Sequence, residues 1–142
     1  MGLMLTPVTG PKNQADTGTL TVNIQNLEVA RGDVYIAVYD KEEDFMETEK
    51  SVAGKSVPIT SKGPLTIPLG RFAYGYYAIA VFHDLNQNGK LDRNALGIPK
   101  EPYAFSNNPR VKWSPPSFQE SRFELRQPAL SLNMELKRWG EQ

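Results

Sequence analysis

The residues best arranged for chemistry are those of segment 84–92, Asp-Leu-Asn-Gln-Asn-Gly-Lys-Leu-Asp. Calcium prefers roughly six to eight oxygen ligands, and calcium loops supply them from alternate positions. Asp84, Asn86 and Asn88 stand at the first, third and fifth positions of such a loop. Gly89 permits the sharp turn at the sixth, Lys90 offers its backbone carbonyl at the seventh, and Asp92 falls at the ninth. The twelfth position, where a bidentate glutamate normally closes the shell, holds Ala95, and the next acid is Glu101. Asp84, Asp92 and Glu101 are balanced by Lys90, Arg93 and Lys100. A Ca2+ site of this make-up is expected to be weak, with a Kd of about 10⁻⁴–10⁻³ M. The competing expectation is a metal-free turn whose Asn and Asp side chains cap their own backbone amides. No zinc-type ligand spacing or phosphate-cradling glycine loop is present.

Other reactive side chains are few. His83 is the sole histidine and adjoins Asp84. Neighbouring residues on a strand face opposite ways, so the two do not form a catalytic pair, and a hydrogen-bonded histidine at a strand end is expected instead. Ser106 lacks the G-x-S-x-G context of a nucleophile elbow. A hydrolase using Asp84, Asp92 or Glu101 as acid and base is the alternative function, and it requires two carboxylates converging on a cleft. Tyr74, Tyr76, Tyr77, Tyr103, Phe105 and Trp113 form a second kind of candidate, an aromatic platform for a sugar or peptide, against the plainer role of core and loop packing.

These groups must be positioned mostly by strands. Period-two alternation runs through Leu20, Val22 and Ile24, through 34–39, through Leu65, Ile67 and Leu69, through 77–82, through Phe123 and Leu125, and through Leu130, Leu132, Met134 and Leu136. Residues 52–59 give a weaker signal, for about seven strands in all. The segment 34–39 is apolar on both faces, which suits a central strand, and Pro68 confines its own strand to an edge or a bulge. Asp40 and Glu43 resemble a capping box, so one short helical turn is expected over 40–48, pinned by Phe45. The stretch 84–119 is too long for a structureless loop, and its Tyr103, Phe105, Val111, Trp113 and Phe118 are candidate anchors. Short strands punctuated by glycine and proline indicate an all-β antiparallel sandwich or barrel.

The 142 residues suit one domain, placed at 19–137. Residues 1–18 read as a flexible leader or the joint left where a signal was removed, and 138–142 as a C-terminal tail. Sixteen basic and sixteen acidic residues give zero formal charge, which argues against a nucleic-acid partner. No apolar run approaches the ~20 residues of a transmembrane helix. The absence of cysteine excludes disulfides and thiol chemistry.

The order YYAIAVFHD, DLNQNGKLD and LGIPKEPYAFSNN, with VYIAVYDKEEDF upstream and SFQESRFEL and LSLNMEL downstream, resembles domain-of-unknown-function family 2141. The resemblance covers roughly residues 19–137. It implies a prealbumin- or immunoglobulin-like sandwich and a periplasmic, cell-surface or secreted location; the length of 84–119 and its aromatic anchors separately predict a long ordered loop. Ala104 stands where the family usually has glycine. Continued through Gly97 and Ile98, the 84–92 loop is also similar to calcium loops of B-type repeats in bacterial adhesins. Together these point to a non-catalytic exported binding or structural module, its partner a protein or glycan, with Ca2+ in the loop.

Overall fold

The computed structural model describes residues 16–85, 101–109 and 116–138. Among these residues, eight strands form two sheets. Strands β1 (Thr17–Gln25), β4 (Leu65–Ala73) and β8 (Ala129–Glu135) make a three-stranded sheet in the order β4-β1-β8. The larger sheet runs β3-β2-β5-β6, from β3 (Ala53–Pro58), β2 (Asp33–Tyr39), β5 (Gly75–Asp84) and β6 (Tyr103–Phe105), and β7 (Phe123–Leu125) also pairs with β5.

The inner faces meet in one core. Leu20, Val22 and Ile24 of β1 are fully buried against Val34, Ile36 and Val38 of β2 and Ile79 and Val81 of β5. Each such side chain contributes about 1.5–3 kcal/mol over its exposed state. This all-β, sandwich-like arrangement is the architecture that the alternation predicts. The segment 34–39 is central, lying between β3 and β5.

Pro68 lies on β4, an edge strand, and also at a bulge. Leu20 pairs with Gly70 and Thr21 with Pro68, leaving Leu69 unmatched. Gly70 takes φ 110° there, a conformation that residues with a Cβ avoid.

Three features differ from the sequence expectation. Strands β1 and β8 pair in parallel, over Thr19↔Ala129 to Gln25↔Glu135, so the smaller sheet is mixed. Strand β6 is an eighth strand, too short and too close to prolines to show a period. The helical turn over 40–48 takes the form of two 3₁₀ turns, Glu42–Asp44 and Thr48–Lys50. Lys41 rather than Asp40 precedes the first, with no side-chain cap. The chain leaves that turn at Phe45, whose ring lies against Tyr39, Phe105 and Phe118. The capping box forms instead at Ser117 and Glu120, opening the four-residue helix α1 (Phe118–Ser121). Its S-x-x-E spacing was present in the sequence as a signal.

Candidate binding pocket

A strand exposes alternate residues on opposite faces, and here both faces of the larger sheet are apolar. Its outer face carries Tyr35, Ala37 and Tyr39 from β2, Ala78, Ala80 and Phe82 from β5, and Tyr103 and Phe105 from β6. The cross-strand register sets Tyr35 opposite Phe82 and Ala37 opposite Ala80. Large rings thus stand around two methyl groups. The result is a pocket of about 190 Å³, floored by Ala37 and Ala80, walled by Tyr35, Tyr39, Phe82, Tyr103 and Phe105, and edged by Met46 and Thr48.

The walls are held by ring-to-ring contacts. Tyr35 and Phe82 lie 5.4 Å apart, and Tyr103 and Phe105 meet edge to face at 5.6 Å. Phe45 props the far side through Tyr39 at 5.4 Å and Phe105 at 6.1 Å. Such pairs are worth about 0.5–1.5 kcal/mol beyond area burial. On β3, Gly54 leaves room for Tyr35: a Cβ there would lie 2.8 Å from its hydroxyl. Met46 adopts φ 75°, a left-handed conformation that costs a residue with a Cβ about 1–3 kcal/mol.

Burial, then the negative fields of Tyr35, Glu47 and Glu49, pushes the Tyr39 hydroxyl up to about 12. The unfolded chain ionises this group near 10, so between about pH 10 and 12 the unfolded state binds fewer protons than the folded one. Stability should therefore fall across that window. Thermal melting of Tyr39→Phe should show a shallower decline there than the parent protein, and identical slopes would count against the effect.

The structure brings only part of the predicted aromatic platform here. Tyr103 and Phe105 line the pocket. Tyr77 is in the core with Phe72 and Phe123, its hydroxyl donating to the Ala73 carbonyl at 2.7 Å. Tyr74 is half-buried against the same core, and exposed Tyr76 receives the Arg122 guanidinium 4.4 Å from its centroid. Trp113 lies outside the described residues. Sequence reading missed Tyr35, Tyr39 and Phe82 as site residues, although the doubly apolar pattern of 34–39 and 77–82 was the available signal.

The root of the 84–92 loop is well defined. Asp84 is the last residue of β5, buried, and opposite Asp33 in register. Glu101 folds back to this point and accepts the Leu85 N–H at 2.8 Å. Asn86, Asn88, Lys90 and Asp92 lie outside the described residues. Among the described residues no three His, Asp or Glu side chains are grouped to hold a metal ion. His83 is fully buried and donates from Nε2 to the Arg31 carbonyl at 2.7 Å, while its backbone N–H reaches the Pro102 carbonyl at 2.9 Å.

Ser106 is also fully buried and structural. Its Oγ accepts the Ile79 N–H at 2.9 Å and donates to the Ser121 carbonyl. Asn107 and Asn108, at φ 71° and 46°, continue the latch. Asn107 donates to the Arg122 carbonyl at 2.6 Å, and Asn108 bonds the Asn133 carbonyl and Glu135 N–H of β8.

Fold and site together define an all-β domain with a small aromatic pocket outside its main core. Residues 22–133 match a family described as an uncharacterized protein conserved in bacteria, domain of unknown function 2141, and the chain belongs to that family. Comparison with curated proteins and with solved structures found no match. No helix among the described residues is long and apolar enough to cross a membrane.

Proposed function

We propose that this protein is a non-catalytic binding module whose site is the aromatic pocket on the outer face of the larger sheet. The observation that carries this reading is the void itself: five rings surround a floor of two alanines, where larger side chains would fill the space. Mostly apolar walls with a few polar groups are what small-ligand sites share. Strained Met46 at the rim supports it, because backbone strain clusters at ligand clamps and switches. The non-catalytic part is supported by Ser106 and His83, whose Oγ and Nε2 are engaged in backbone hydrogen bonds. Export to the periplasm, cell surface or medium belongs to the same proposal, on the strength of the family resemblance.

The test fills the void. Ala80→Leu should fold with a melting temperature at or above that of the parent protein, since the added methylenes occupy empty space. It should also abolish the shifts that small-molecule fragments produce at the pocket ring resonances in NMR. Fragments that shift those rings equally in both proteins would refute the pocket as the site.

A second reading keeps calcium in the 84–92 loop. It is favoured by Asp84, buried at the start of that loop, and by Glu101, also buried, whose carboxylate accepts the N–H of the adjacent Leu85. At about 10 mM calcium, a Kd of about 10⁻⁴–10⁻³ M would stabilise the folded state by about 1.4–2.7 kcal/mol. Thermal melting with and without calcium checks this, and no rise in melting temperature removes the ion from the account.

A further inference from the structure

We propose that the pocket takes a small organic cation with an alkylated ammonium head, an inference that rests on the pocket being the binding site. Aromatic faces carry negative potential, and a cation over them is attracted more strongly as water is excluded. Four of the five wall rings, those of Tyr39, Phe82, Tyr103 and Phe105, are buried. The thioether of Met46 at the rim is soft and polarisable, which suits contact with methyl groups bearing partial positive charge.

The charge of the rim selects the sign. Residues 40–50, which supply Met46 and Thr48, contain six acids against two bases in a chain that is neutral as a whole. Glu47 and Glu49 are exposed, and their field reaches the Tyr39 hydroxyl on the wall. Among the described lining residues none is basic, so an anion finds no counter-charge.

Size and hydrogen bonding narrow the class. About 190 Å³ is below the roughly 300 Å³ at which pockets for drug-sized ligands begin, leaving room for a head group. The polar side chains of the lining are tyrosine hydroxyls and Thr48. A quaternary ammonium has no N–H to satisfy, whereas a sugar of that size would bury several hydroxyls without partners.

Choline and its uncharged isostere 3,3-dimethyl-1-butanol provide the test, titrated into the full chain at low ionic strength and followed at the ring resonances. Choline should bind about tenfold more tightly. Added salt should weaken choline and leave the alcohol unchanged. Glu47→Gln combined with Glu49→Gln should reduce choline affinity several-fold, again without affecting the alcohol. Equal affinities for the two probes would overturn the cation inference and leave the pocket standing. If neither probe shifts the rings, the pocket reading falls with it.

Discussion

Ser106→Val should lower folding stability by about 2–4 kcal/mol, since each buried polar group left without a partner costs roughly 1–3 kcal/mol. The reason lies in how β5 is paired on one side. Strand β7 covers Gly75 to Tyr77, strand β6 covers Ala80 to Phe82, and neither reaches Ile79. Ser106 closes that gap: its N–H donates to the Ile79 carbonyl at 3.0 Å and its Oγ receives the Ile79 N–H. The same hydroxyl donates onward to Ser121 at the end of α1. Valine removes the hydroxyl, stranding Ile79 N–H and the Ser121 carbonyl, and its larger side chain adds overpacking at this fully buried position. Urea denaturation should show a lower midpoint at unchanged m-value, and Ser106→Thr should restore part of the loss. A loss under about 0.5 kcal/mol, the range of ordinary surface substitutions, would show that the latch is not stabilising.

Gly32→Ala should cost about as much, roughly 2–4 kcal/mol, through left-handed backbone strain together with overpacking. Gly32 sits at φ 76°, and a Cβ there would meet the Asp84 carbonyl oxygen at 2.7 Å and the Leu85 Cα at 3.1 Å. Both neighbours are backbone, so neither can rotate aside. The displacement would fall on the loop root, where Arg31 donates to the Leu85 carbonyl and Glu101 holds the Leu85 N–H. Gly32→Asn tolerates the dihedral better yet keeps the clash, so thermal melting should rank glycine first, asparagine second and alanine last. A fully stable alanine variant would mean that the 26–32 loop yields and does not fix the root of the 84–92 loop.

The main core was legible because its determinants are local. Leu20, Val22 and Ile24, or Leu130, Leu132 and Met134, announce a half-buried strand by period alone. Pro68 likewise announced an edge or a bulge, and its strand has both. What stayed hidden depends on partners far along the chain. Nothing near Ser106 names Ile79 or Ser121, and nothing near Asn108 names β8. Strand β6 has three residues and exists because β5 offers it an open side. The parallel hand of β1 and β8 is a topological outcome that alternation cannot encode. The pocket was half legible: the two-faced apolar pattern of β2 and β5 implied a second covered surface, but its vacancy depends on Ala37 and Ala80 facing each other. That register is set by strand pairing. The loop motif begins at Asp84, where β5 ends, and nothing near Glu101 in the sequence names the Leu85 N–H that it accepts.

The parallel pairing of β1 and β8 has a mechanical consequence. These are the first and last strands among the described residues, so tension applied to the two ends of the domain draws β1 toward its start and β8 toward its finish. The ladder from Thr19↔Ala129 to Gln25↔Glu135 is then loaded lengthwise, and its hydrogen bonds share the force instead of opening one at a time. Fixed by both termini, the domain would resist pulling as a shear clamp, with rupture governed by its unfolding rate more than by its equilibrium stability.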